Sequence, residues 1–288
     1  MKKSFRKCLI AVLAVTFVVS GGMVLKTLSA YKAGEQTYRS VQALAGLQDD
    51  LQGDIQGAMQ NDIQGALQKD TQGASQVDLQ SDLQQEENDS NPLPNVSEGS
   101  LKNLNFQELQ QINKDVMGWI IIPGAGISYP LMDGSDNSYY LNHTWDKQRN
   151  AMGSIFLEKE CCSSLKEFNT IIYGHNMRNS TMFSNLKKYV KKAFWQQAPY
   201  VYIATENSVR KYHIFAAYEV STEGHAFWID IEDDGNKQKF IDKSIKMSEI
   251  STGIVPEISD HILTLATCTG NGHEKRMIVQ AVLASEEE

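Results

Sequence analysis

The chain has 288 residues, 41% of them hydrophobic, and a formal net charge of −8. That length holds one or two domains, and the charge balance excludes a protein that grips nucleic acid through a broad basic patch. Residues 1–40 carry seven Lys or Arg against one acid, residues 41–100 one against eleven, and residues 101–288 nineteen against 23, so the acidity belongs mainly to one internal stretch.

The chain reads as three segments: 1–30, 31–99 and 100–288. In the first, Lys2, Lys3, Arg6 and Lys7 precede an apolar run from Cys8 to Leu25. The run approaches the ~20 residues of a membrane span. Positive charge on its short leading side keeps that end cytoplasmic and sends the remainder outward. Leu28-Ser29-Ala30 resembles a cleavage site, so a cleaved signal peptide competes. The apolar run exceeds the ~7–15 residues of a signal-peptide core, which favours an uncleaved signal anchor.

From Gln48 to Gln84 a glutamine falls at every fourth position, ten in all, within an octapeptide repeat: DIQGAMQN, DIQGALQK, DTQGASQV, DLQSDLQQ. A strict step of four rotates an apolar stripe around a helix of 3.6 residues per turn instead of building one face. Gly46, Gly53, Gly57, Gly65 and Gly73 oppose helix, and no aromatic residue lies between Tyr38 and Phe106. Segment 31–99 therefore reads as an acidic, low-complexity spacer, extended or weakly helical, with a helical oligomerisation stalk as the alternative. As a flexible chain of about 60 residues it would reach ~40–45 Å. It is expected to lift the following domain off the membrane.

After Pro92 and Pro94 the composition changes. Asn105, followed by Glu108, is an N-cap for a short helix with Phe106, Leu109 and Ile112 on one side. Short apolar or alternating runs follow at Gly118–Ile122, Ile127–Met132, Gly153–Leu157, Thr170–Tyr173, Tyr200–Ala204, Val209–Val220, 262–268 and from Arg276 onward. Eight short strands point to a mainly β domain, a closed barrel or sandwich. Two peripheral helices are expected, Phe183–Val190 and about Lys237–Ile250, the second turning Phe240, Ile241 and Ile245 toward the sheet. The last two strands form a hairpin through Gly270, Asn271 and Gly272.

Four cysteines are too few for a disulfide framework. Cys8 lies in the anchor, an unstrained bridge between neighbours Cys161 and Cys162 is disfavoured, and Cys268 ends a strand as a free thiol. A thiol is only partly ionised at neutral pH, so a nucleophilic cysteine needs an imidazole or another cation beside it. Of the six histidines, His213 alternates within a strand, and His261 and His273 read as turn residues. His175 ends the run NTIIYGH at a strand-to-loop rim, as Cys268 does. No histidine, cysteine and carboxylate spacing resembles a metal site.

NTIIYGHNM (169–177) with TMF (181–183), LTLATCT (263–269) and Arg276 resemble the histidine, cysteine and arginine motifs of class B sortases. NKDVMGWIIIPGAGISYPLM (113–132), DNSYYLNH (136–143) and GSIFL (153–157) are similar to that family's first segments. The resemblance covers about residues 100–285. It implies an eight-stranded sortase-type β-barrel and a membrane-held cysteine transpeptidase of Gram-positive surfaces, working without a cofactor. Such an enzyme cuts an exported protein after threonine in a C-terminal sorting motif, here of the NPxT[N/G] kind. It then joins the acyl group to an amine of cell-wall peptidoglycan. Cys268 would be nucleophile, His175 proton carrier and Arg276 the group that steadies the oxyanion. Tyr173, Asn142 and Thr267 would bind substrate, with core packing the alternative for Tyr173. Ala266 stands where the family often has serine, and the long spacer is a second departure. A secreted cysteine hydrolase, or a non-catalytic surface-binding protein on a stalk, are the other classes compatible with these residues.

Overall fold

The computed structural model describes residues 2–47, 101–161, 163–269 and 274–287, and the side chains of the first helix from Thr16 onward except Val18 and Val19. The octapeptide repeat, Cys162, the turn glycines 270 and 272, His273 and the side chains at the start of the expected anchor lie outside the described residues.

Helix α1 spans Lys2–Leu44, so it runs on past residue 30, the expected end of the anchor. Among the described residues no helix is long and apolar enough to cross a membrane; Phe17, Met23, Val24, Leu25 and Leu28 are nevertheless exposed. The last turns of α1 carry Tyr38 and Val41 into the barrel's core cluster. The helix is stopped by Gly46, whose φ of +83° only glycine adopts without strain. Leu47 N–H donates to Gln42 O (3.0 Å) and Gly46 N–H to Ala43 O (3.1 Å), the paired bonds of a Schellman cap. Gly46 thus ends the helix.

Leu47 and Leu101 are both buried in the same core cluster, and a Cβ placed on Gly46 would lie 3.9 Å from Asn103 O. The described residues on either side of 48–100 therefore stand at neighbouring points of one body. The expectation that this stretch lifts the domain off the membrane concerns residues outside the described ones.

Helix α2 (Phe106–Ile112) starts on Asn105, whose side chain accepts from Glu108 N–H (3.2 Å). Phe106 and Leu109 are buried, but Ile112 faces solvent. The strands β1 (Val116–Ile122), β2 (Ile127–Met132), β3 (Ile155–Leu157), β4 (Asn169–Tyr173), β5 (Tyr200–Ala204), β6 (Val209–Ser221), β7 (Ile262–Cys268) and β8 (Lys275–Glu287) close into a barrel in the order β1-β2-β3-β4-β7-β8-β6-β5. The β2–β3 and β4–β7 pairings are parallel and the rest antiparallel. Closure leaves no open sheet edge, which decides for a barrel over a sandwich.

The expected helix at 183–190 is a 3₁₀ helix, Ser184–Val190. It buries Leu186 and Tyr189, three residues apart, the spacing that three residues per turn places on one side. Helix α3 (Lys192–Gln197) follows it. Helix α4 (Asp234–Met247) begins earlier than expected because Asp233 caps it, accepting from Asn236 N–H (2.9 Å). Phe240, Ile241 and Ser244 face the barrel, while Ile245 is 38% exposed. Under α4, Phe215, Tyr218 and Val220 of β6 join Phe240 and Ile241 in a second apolar cluster outside the barrel.

Candidate active site

Strands β4 and β7 are parallel neighbours with Tyr173 paired to Ala266, and Gly174 N–H donates to Ala266 O (3.2 Å). His175 and Cys268 each lie two residues beyond that pair, so both emerge at the same end of the barrel. Asn176 Nδ2 donates to Cys268 O (2.8 Å) and ties the two strand ends together. Across the antiparallel β7–β8 pair, Cys268 is in register with Arg276. All three line one cavity of about 480 Å³, together with Tyr173, Thr267 and Glu158. Cys268 is exposed, and His175 and Arg276 are half-buried.

His175 Nε2 lies 2.6 Å from the Leu141 carbonyl oxygen. A carbonyl can only accept, so Nε2 carries the hydrogen and Nδ1 is left as the ring nitrogen with a free lone pair. The group orienting the imidazole is thus a backbone oxygen, which has no signature in side-chain sequence. Gly174 allows this approach: a Cβ there would come within 2.5 Å of Ile155 Cδ1 and 2.7 Å of the Phe183 ring.

Tyr173 donates its hydroxyl to Glu158 Oε2 (2.7 Å). Burial, helped by Glu158, pushes its phenol well above the usual range. Glu158 is 6% exposed and also accepts from Asn137 Nδ2, fixing two cavity-lining side chains with one carboxylate. Thr267 is buried, and among the described residues its hydroxyl has no hydrogen-bond partner. Asn142 is not brought to the cavity; its backbone N–H caps the 3₁₀ turn Tyr139–Leu141, and Leu141 and Asn137 of the same segment line the cavity instead.

The sortase domain family matches residues 120–284. The chain belongs to the sortase family. Within it, the sortase is 34% identical to sortase B of Staphylococcus aureus over 180 residues, 61% of this chain and 73% of that protein. It is 33% identical to sortase B of Listeria monocytogenes over 184 residues, 62% and 74% of the two chains. A solved Staphylococcus aureus sortase B–substrate complex superposes with a TM-score of 0.59 at 31% identity, covering 62% of this chain and 84% of that one. These likenesses make the sortase a class B enzyme, a cysteine transpeptidase that attaches proteins to the cell wall.

Two features of the sortase's cavity escape sequence reading. Glu158 directly follows the quoted run GSIFL and Asn137 sits inside DNSYYLNH, yet only the folded barrel turns them toward each other.

Proposed function

We propose that Cys268 is the nucleophile, His175 the proton carrier and Arg276 the oxyanion partner of a transpeptidation on a C-terminal sorting signal. The observation that carries this reading is the parallel β4–β7 register, which sets the thiol and the imidazole at one barrel rim with Arg276 opposite the cysteine. The Cys268 thiolate attacks the carbonyl carbon of the substrate threonine, and the oxygen gains negative charge beside the Arg276 guanidinium. As the intermediate collapses the C–N bond breaks, and His175 gives its proton to the departing amine, leaving a thioester. An incoming amine then loses a proton to His175, forms the new amide bond and expels the thiolate. Tyr173 and Thr267 line the space beside the cysteine where the peptide lies, and Glu158 holds Tyr173.

The substrate class is an exported protein with an NPxT[N/G]-like motif, and the acceptor an amine of peptidoglycan. The apolar run Cys8–Leu25 with its leading lysines supports a single membrane pass, cytoplasmic at the N-terminus, with the barrel outside. Fractionation with protease protection tests that topology: digestion of the barrel from inside the cell would overturn it.

The central experiment incubates the protein with quenched peptides of the N-P-x-T-N/G and L-P-x-T-G kinds, with and without an amine, and weighs the products. Cleavage after threonine with an amide product, lost in Cys268→Ala, is the expected result. Acid product alone, even at high amine concentration, would favour a hydrolase.

A further inference from the structure

Helix α1 lies across the two loops that frame His175. Toward the first loop, Asn150 Nδ2 donates to Ala30 O (3.0 Å), and the Tyr38 hydroxyl donates to Gly153 O (2.5 Å) and sits 3.1 Å from Ser154 Oγ. Toward the second, Asn179 Nδ2 donates to Glu35 Oε1 (2.6 Å). The Tyr38 ring also meets Tyr129 edge-on at 5.2 Å, and Tyr129 Oη accepts from Met182 N–H (3.1 Å).

Both loops hold the histidine. Gly153, at φ +58°, packs so closely that a Cβ there would fall 3.0 Å from His175 Cδ2 and 2.8 Å from the Leu141 oxygen that accepts from Nε2. The following peptide is fixed too, since Ser154 N–H donates to Tyr140 O (2.9 Å) and Ser154 Oγ to His143 O (2.8 Å). On the other side, Phe183 N–H donates to His175 O (2.9 Å). Tyr38 itself is 4% exposed. Burial keeps its phenol protonated over the whole working range, so it is a permanent donor.

We infer that Tyr38 is a positioning residue for transpeptidation: through Gly153 and Ser154, the N-terminal helix sets where the His175 imidazole stands. This rests on the reading of His175 as proton carrier. The Tyr38 ring contributes packing and the hydroxyl contributes geometry, so Tyr38→Phe removes only the second.

The test uses the full chain in detergent micelles, with a quenched sorting peptide and a saturating amine, comparing Tyr38→Phe, Val41→Ala and His175→Ala with the parent. Val41 is fully buried on the same helix but makes no hydrogen bond to either loop, so it reports on helix docking alone. In Tyr38→Phe, kcat is expected to fall roughly three- to tenfold, the loss typical of one hydrogen bond. Its KM should stay within about twofold and its Tm near or above that of Val41→Ala. Val41→Ala should keep its kcat. An unchanged kcat in Tyr38→Phe, a matching rise in KM, or an equal loss of kcat in Val41→Ala would each overturn the inference. His175→Ala separates the two readings. If it stays active, the assignment of His175 falls; if it is dead while Tyr38→Phe matches the parent, only the role of Tyr38 falls.

Discussion

Cys161 and Cys268 are both free thiols, and their surroundings give them opposite chemistry. Cys161 is buried and its pKa is pushed up to about 12, chiefly by loss of hydration, whereas Cys268 is exposed at a strand end. A charged thiol reagent is therefore expected to label Cys268 in the folded protein and spare Cys161 until denaturation, which peptide mapping by mass will read. Arg276→Lys should cost about 10²–10³ in kcat with little change in Tm, because an ammonium lacks the planar fork of the guanidinium. Glu158→Gln places an amide where Tyr173 and Asn137 both donate. It should raise KM for a sorting peptide by roughly three- to tenfold while changing kcat less. At this scale the candidate triad was legible in the sequence, because each member ends or begins an apolar run. Glu158 was not, since nothing local marks a carboxylate that burial will turn inward. Asn142 was misplaced because a 3₁₀ turn points its neighbours, not itself, at the cavity.

Strand β4 and the glycine after it form the element on which the site depends. Gly174→Ala would drive a methyl into Ile155 and Phe183. It is expected to lower stability by about 1–3 kcal/mol and to lower activity further, because the strain falls between Tyr173 and His175. Helix α4 has its own polar anchor: His225 Nε2 lies 3.1 Å from both Tyr218 Oη and Ser244 Oγ. Burial, aided by the charge of Lys243, lowers the His225 pKa from 6.5 to about 4. Between those values the unfolded chain binds a proton that the folded chain refuses, so stability falls as pH drops through the window and levels off near its lower end. The slope from this one group cannot exceed about 1.4 kcal/mol per pH unit. Thermal melts from pH 7 to 4.5 should show the fall, and His225→Gln should flatten it. The sequence placed α4 and all eight strands to within a few residues, since periodicity and caps are local. It missed α3 and extended the α4 face to Ile245, because which side of a short helix is covered depends on its partner.

For the whole molecule, the decisive fact is that α1 and α2 dock on the same barrel. Gly46 and Asn103, which flank residues 48–100 in the chain, are therefore adjacent. Deleting residues 48–84 should leave peptide cleavage unchanged and raise stability by about 1 kcal/mol at most, the closure entropy of the shorter loop. A large loss of Tm in that variant would mean the repeat packs on the barrel. The docking of α1 also joins the apolar N-terminal run to the walls of the active site through one continuous helix, instead of leaving the barrel on a loose tether.

The candidate chemistry and the local form were legible in the sequence alone. Cysteine, histidine and arginine at run boundaries, alternating apolar strands and capping residues carry their meaning within a few positions. Tertiary structure decided what depends on residues far apart in the chain: the parallel pairing of β4 with β7, the Leu141 carbonyl that orients His175, the burial of Glu158, and the seat of α1 beside the loops that frame His175. Those contacts join segments separated by tens of residues or more, and a separation of that kind leaves no periodicity or spacing to read.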